Sequence, residues 1–144
     1  MRVQKKLLPF IVIVIMLSCV KKNETLMEPV KDLNALWRIE TVTRNETDIT
    51  KFIDSSGFRL MLSPDKTYKL EGNNIPFIVD ASTGTWSVDD PQYPYKITFM
   101  PNDSTSTFTG DVATPVTKGN RTLNITFSPG CEANSDTYIF EKVQ

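Results

Sequence analysis

The feature that most constrains this chain is a two-residue period of large apolar side chains, which recurs along nearly all of the sequence after residue 36. An apolar residue at every second position is typical of a β-strand that buries one face and exposes the other. The runs are rich in threonine, aromatic and β-branched residues, which favour strands. Eight runs show the pattern: Trp37–Val42, Phe58–Ser63, Thr67–Glu71, Trp86–Val88, Lys96–Phe99, Thr107–Thr109, Thr122–Phe127 and Thr137–Glu141.

Residues that favour turns separate these runs at short intervals. Ser63–Lys66, for example, places a proline and an aspartate between two runs, as a tight hairpin requires. Only Asp48–Ile53 has the spacing of a helical turn, with Asp48 or Thr50 as a candidate N-cap. We therefore predict an all-β domain, with a helical turn lying across one end.

Eight strands that each bury one face predict an antiparallel up-and-down β-barrel. A sheet that closes on itself needs no second layer, and it leaves no unpaired strand edges. A β-sandwich fits the same periodicity, because alternation alone cannot distinguish the two architectures.

The absence of histidine narrows the chemistry that the chain can perform. It excludes a Ser–His–Asp triad, a Cys–His pair and a histidine-based metal site, and two cysteines are too few for a Cys₄ zinc site. Asp89 and Asp90 are adjacent, so they are better explained as turn residues than as an acid–base pair. The chain also lacks a recognisable nucleotide-binding loop. We predict no enzymatic activity, no cofactor and no metal.

The N-terminal segment has the pattern of a secretory signal. Arg2, Lys5 and Lys6 precede an apolar run from Leu7 to Leu17. This run is too short to cross a bilayer, which takes about 20 residues. Removing residues 1–18 takes away three basic residues and no acidic one, so the formal charge changes from −1 to −4. An acidic chain offers no basic field for nucleic acid.

The end of the apolar run, Met16-Leu17-Ser18-Cys19, resembles the lipobox of bacterial lipoproteins. The resemblance implies cleavage before Cys19 and acylation of its thiol and amino group, which would anchor the protein in a membrane. Val20 after the cysteine resembles an outer-membrane sorting signal, and the basic Lys21 and Lys22 favour the periplasmic face over the cell surface. A plain signal peptide that ends near a cysteine is the alternative.

These patterns divide the chain into three parts. Residues 1–18 are predicted to be a signal peptide, residues 19–30 a lipidated cysteine with a flexible tether, and residues 31–144 one barrel domain.

Three motifs in the domain resemble a known group of proteins. They are Leu33-Asn34-Ala35-Leu36-Trp37, Gly84-Thr85-Trp86-Ser87-Val88-Asp89-Asp90 and Phe58-x-Leu60-x-Leu62-x-Pro64-Asp65-Lys66-x-Tyr68. The first is similar to the Gly-x-Trp opening of lipocalins, with Ala35 in place of the glycine. Together they resemble the small lipocalin-like lipoproteins of unknown function that are common in Bacteroidetes-type bacteria. The resemblance implies an eight-stranded barrel behind a lipid anchor, and it does not supply a ligand.

Five aromatic residues are candidates for ligand binding. Trp37 and Trp86 would either line a pocket or fill the bottom of the barrel. Phe77, Tyr93 and Tyr95 lie in proline-containing loops, where they would either meet an apolar or carbohydrate ligand at the barrel mouth or pack the loops onto the barrel.

Two functional hypotheses follow from the sequence. The first is a lipid-anchored envelope protein that binds a small apolar ligand, a lipid or an envelope component without catalysis. The second is a filled barrel that serves as an interaction or scaffold module for another envelope protein. The expected partners are the membrane, through the lipid anchor, and either a small hydrophobic ligand or an envelope protein.

Overall fold

A computed structural model of the chain describes residues 30–72, 76–79, 81–130 and 133–144. The predicted signal peptide, Cys19 and nearly all of the tether therefore lie outside the described residues. Within them the chain forms a short 3-10 helix, Thr50–Phe52, and ten β-strands: β1 (Ala35–Arg44), β2 (Thr47–Asp48), β3 (Arg59–Leu62), β4 (Thr67–Glu71), β5 (Thr83–Val88), β6 (Lys96–Pro101), β7 (Phe108–Ala113), β8 (Val116–Thr117), β9 (Asn120–Phe127) and β10 (Asp136–Lys142).

Eight of the strands close into a barrel. They pair antiparallel in the order β1, β3, β4, β5, β6, β7, β9 and β10, and β10 pairs with β1 to complete the circle. At this closure Trp37 lies opposite Lys142, and Arg44 lies opposite Asp136. The structure confirms the predicted eight-stranded antiparallel up-and-down barrel. It excludes the sandwich, because every barrel strand has a partner on both edges.

The eight alternating runs in the sequence correspond one to one with the barrel strands. The structure adds β2 and β8, which are two-residue strands within loops and are too short to show a period. The helical turn predicted over Asp48–Ile53 is present as the 3-10 helix. Its N-cap position is Ile49, while the Asp48 carboxylate accepts a 2.8 Å hydrogen bond from the Thr50 backbone N–H.

The barrel has two ends that differ in construction. The base is formed by residues 30–34 and by the β3–β4, β5–β6 and β7–β9 connections. The mouth is formed by the β1–β3, β4–β5, β6–β7 and β9–β10 connections. Backbone hydrogen bonds fasten each end: Lys31 donates to Pro91 at the base (2.9 Å), and Asn45 donates to Ser135 at the mouth (2.8 Å).

Inward-facing side chains from all eight barrel strands form one continuous core. Gly84 on β5 illustrates how closely the strands pack. A Cβ atom at this position would meet the carbonyl oxygen of Met100 and would lie 2.6 Å from the ring of Tyr68. The site therefore requires glycine, which leaves room for the close approach of its neighbours.

Candidate functional site at the mouth of the barrel

Phe77 closes the mouth of the barrel from the inside. It belongs to the β4–β5 connection rather than to a strand, yet only 6% of its surface is exposed. Its ring packs edge-on against Tyr138 and Phe127, with centroid separations of 5.0 and 5.5 Å. Three more rings surround it: Phe58, Phe99 and Phe140. Phe77 is thus a plug that occupies the space where a lipocalin-like barrel would hold a ligand.

The residues next to the plug contribute to the same closure. Val79 is fully buried in the core, while Ile78 is half-buried and packs against it. Burying a phenylalanine side chain stabilises a fold by about 1.5–3 kcal/mol, and edge-on ring pairs add about 0.5–1.5 kcal/mol each. The plug is therefore a substantial part of the core.

Outside the plug, the mouth carries an open cleft of about 480 Å³. Most of its lining is apolar, and it comes from three of the four mouth connections and from the adjoining ends of β1 and β10. The lining residues are Val42, Arg44, Ile49, Ile53, Pro76, Phe77, Ile78, Pro129, Asp136 and Tyr138. A cleft of this volume exceeds the lower limit of roughly 300 Å³ for small-molecule sites.

One ion pair lies in the wall of this mouth cleft. Arg44 donates from Nε and Nη2 to the two carboxylate oxygens of Asp136, at 2.8 and 3.1 Å. The Asp136 side chain is 11% exposed and the Arg44 side chain 64%, so the guanidinium is the part that faces solvent. Burial and the negative charge of Asp136 raise the pKa of Tyr138 to about 12, so its hydroxyl stays protonated. The cleft thus combines an apolar floor with polar groups at one side.

The two tryptophans lie near the base and fill the barrel there. Both are 2% exposed. Trp37 Nε1 donates a 3.0 Å hydrogen bond to the carbonyl of Leu33, which covers the base from the N-terminal segment. Trp86 Nε1 has no hydrogen-bond partner among the described residues, and Lys66 Nζ lies 4.1 Å from the centroid of the Trp86 ring. Of the two roles predicted for these tryptophans, lining a pocket or filling the bottom of the barrel, the second matches this packing.

The five predicted ligand-binding aromatics do not form one site. Phe77 is the plug at the mouth, whereas Tyr93 and Tyr95 lie in the β5–β6 connection at the base. Tyr93 is 46% exposed and Tyr95 is 70% exposed. Phe77 therefore lies at the opposite end of the barrel from Tyr93 and Tyr95, because successive connections in an up-and-down barrel alternate between its ends.

Sequence reasoning missed four residues that shape the mouth cleft. Ile49 and Ile53 flank the 3-10 helix and turn toward the core, and Arg44 and Asp136 are paired by the β1–β10 closure. The apolar pair could have been found from its i, i+4 spacing around the predicted helical turn. The ion pair joins residues 92 positions apart in the chain, so no local pattern reveals it.

The aspartates of the β5–β6 connection are engaged in hydrogen bonds to their own loop, and the described residues show no metal-binding cluster. No group of three or more aspartate, glutamate, histidine or cysteine side chains within them could hold a metal ion. Asp89 instead accepts hydrogen bonds from the backbone N–H groups of Tyr95 and Lys96, and Asp90 accepts one from Gln92, as loop residues do. In the described part of the chain, no helix is long and apolar enough to cross a bilayer.

The fold and the cleft define the class: a small closed antiparallel β-barrel whose interior is filled by its strand side chains and, at the mouth, by Phe77 of one loop. Residues 18–141 match DUF5004, a family described as a domain of unknown function. The match covers most of the chain, so the chain belongs to the DUF5004 family. No curated protein and no solved structure matches it significantly.

Proposed function

We propose that this protein is a lipid-anchored, lipocalin-like component of the bacterial cell envelope that binds a small apolar molecule at the mouth of its barrel, without catalysis. The observation that carries the proposal is the mouth cleft. It is large enough for a small ligand and mainly apolar, and its few polar groups are held in fixed positions.

The proposed ligand is an envelope lipid or a fragment of one. Ile49, Ile53 and Ile78 offer an apolar surface to a hydrocarbon chain, and the exposed side of Arg44 offers N–H donors to a polar head. The ligand lies against the plug rather than inside the barrel, since Phe77 occupies the interior.

The proposed anchor is Cys19, and the proposed location is the periplasmic face of the outer membrane. The support is in the sequence, where Met16-Leu17-Ser18-Cys19 resembles a lipobox and ends the apolar run Leu7–Leu17. Mass spectrometry of the protein from its native membrane should find residues 1–18 absent and acyl groups on Cys19. A Cys19→Ala variant that remained in the membrane fraction after a wash in 0.5 M salt would refute the anchor, because the salt removes protein held by charge alone.

Native mass spectrometry of protein extracted from its own membrane tests ligand binding directly. We expect a co-purifying molecule of lipid mass, and we expect Ile53→Glu to reduce its occupancy at least tenfold by placing a charge in the cleft. Phe52→Glu is the matched control, because Phe52 is the neighbouring residue, is 76% exposed and does not line the cleft. It should retain the ligand.

Ile53 is half-buried, so its substitution must be separated from unfolding. Circular dichroism of both variants provides this check. Ile53→Ser is a milder change, because it removes the apolar side chain without placing a charge in the cleft. The absence of any bound molecule from the native protein, or equal losses in the Ile53 and Phe52 variants, would contradict the proposed ligand site.

A second function is supported by the filled interior. A barrel plugged by Phe77 can serve as a rigid module whose outer surface or loops bind another envelope protein. The same native spectra separate the two functions, because a protein partner adds kilodaltons and a lipid adds hundreds of daltons.

A further inference from the structure

The base of the barrel exposes most of the large apolar side chains that the described part of the chain leaves on its surface. Six such residues are exposed, and four of them lie at or beside the base: Val30, Tyr93, Tyr95 and Val116. The other two, Phe52 and Met100, lie in a mouth connection and on β6. Exposed tyrosines at one end of a domain are typical of surfaces that meet a membrane interface, where their rings are half in apolar and half in polar surroundings.

Basic side chains accumulate beside these residues. A groove of about 800 Å³ runs past the start of β1 and the end of β10. Four basic residues line it, Arg38, Arg59, Arg121 and Lys142, against two acidic ones, Asp32 and Glu141, and Glu141 is paired with Arg38 at 2.7 Å. The groove is therefore positive within a domain that is acidic as a whole.

The N-terminal segment, residues 30–34, contacts both the groove and the β5–β6 connection that carries Tyr93 and Tyr95. Lys31 donates its backbone N–H to the Pro91 carbonyl in the β5–β6 connection, at 2.9 Å. Its neighbour Asp32 lines the groove. Val30, the first residue that the structure describes, is exposed at this end of the barrel.

The two ends differ in charge balance when they are counted in the same way. The connections and strand ends of the base carry five basic side chains against four acidic ones: Lys31, Lys66, Lys96, Lys118 and Lys142 against Asp32, Asp65, Asp89 and Asp90. The mouth is more acidic. The described mouth connections and the adjoining strand ends carry three basic side chains, Arg44, Lys51 and Arg59, against six acidic ones: Glu46, Asp48, Asp54, Glu71, Asp103 and Asp136. An anionic membrane would therefore repel the mouth and attract the groove, because charges within a Debye length of a lipid surface feel its potential.

We propose that the base is a membrane-docking surface, which rests on anionic lipid headgroups with its tyrosines at the interface and the basic groove above the lipid phosphates. The exposed side chains and the charge pattern carry this inference without the lipid anchor. With the anchor, the same surface would hold the barrel upright, so that the mouth cleft faces away from the membrane.

A vesicle-flotation assay tests the surface apart from the anchor. The protein for the assay is the chain without residues 1–18 and with Cys19→Ala, which keeps all ten strands and the whole core. We expect it to float with vesicles of phosphatidylglycerol and phosphatidylcholine, to bind pure phosphatidylcholine at least tenfold more weakly, and to lose most binding in 0.5 M salt.

Two matched double variants locate the surface. Tyr95→Ser with Lys142→Gln removes one exposed aromatic and one lysine at the base, and should weaken flotation at least fivefold. Phe52→Ser with Lys51→Gln removes the same two kinds of side chain at the mouth, where Lys51 Nζ lies 4.9 Å from the Phe52 ring centroid, and should change nothing.

All four substituted residues are exposed, so both variants should keep the melting temperature of the parent. Flotation that is absent, that ignores lipid charge, or that falls equally in the two variants would overturn the docking surface. None of these results bears on acylation of Cys19 or on ligand occupancy of the mouth, which are measured separately.

Discussion

The base and the mouth of this barrel are closed in different ways. At the base, Trp37 and Trp86 belong to strands, and the segment before β1 covers them through Leu33. At the mouth, the closing ring is Phe77, which a loop inserts among five other aromatic rings. The comparison shows that the interior is filled from two sources: the strands fill the base with their own side chains, and one loop fills the mouth with Phe77.

The two ends also differ in what they present to their surroundings. The mouth offers a mainly apolar cleft within an acidic rim, whereas the base offers exposed tyrosines beside a basic groove. This division agrees with one end that binds a small molecule and one end that faces a membrane.

The largest expected effect comes from removing the plug. Phe77→Ala should lower the free energy of unfolding by about 3–5 kcal/mol, since it leaves a cavity surrounded by aromatic rings. Phe52→Ala, at an exposed position of the same end, should stay within about 0.5 kcal/mol of the parent. Urea denaturation monitored by tryptophan fluorescence measures both. Similar losses for the two variants would mean that Phe77 is not part of the core.

A smaller effect distinguishes the two tryptophans of the base. Trp37→Phe removes the hydrogen bond to the Leu33 carbonyl, whereas Trp86→Phe removes an N–H that has no acceptor in the described structure. The Trp37 variant should therefore be less stable than the Trp86 variant by about 1 kcal/mol. Equal stabilities in parallel urea titrations would show that the N-terminal segment does not fasten the base.

The smallest expected effect concerns pH at the base. Hydrogen bonds from the backbone N–H groups of Lys96 and Tyr95 lower the pKa of Asp89 below its ordinary value of about 3.9. A carboxyl group whose pKa is lower in the folded state stabilises the fold above its ordinary pKa. That contribution is lost as the pH falls through the folded-state pKa.

Asp89→Asn should therefore lower the melting temperature at pH 7, and the difference from the parent should shrink as the pH falls below about 4. Thermal melts between pH 7 and pH 3 measure this. A difference for Asp89→Asn that is constant across the whole range would contradict the assigned hydrogen bonds.

The barrel could be predicted from the sequence because its cause is local. Within each strand, the apolar residues that will be buried occupy alternating positions, as Leu123, Ile125 and Phe127 do in β9. Closure was favoured by the number of one-faced strands, but the structure was needed to exclude a sandwich with the same alternation. The strands β2 and β8 were missed because two residues cannot show a period.

The site was less predictable because its causes are not local. Pro76-Phe77-Ile78-Val79 is a run of four apolar residues in a loop, and this run was the available signal for the plug. Its second and fourth residues, Phe77 and Val79, are the buried ones. The Arg44–Asp136 pair depends on strand register across the closure. The separation of Tyr93 and Tyr95 from Phe77 followed from topology, which assigns successive connections to opposite ends.

The central claim is that Phe77 fills the barrel and confines any ligand to the mouth. The most direct measurement is a nuclear Overhauser experiment on the folded chain with selectively labelled aromatic rings. Cross-peaks should connect the Phe77 ring with those of Tyr138 and Phe127, whose centroids lie 5.0 and 5.5 Å away. A Phe77 ring without such cross-peaks, with the chemical shifts of a solvated side chain, would show an open barrel and contradict the account.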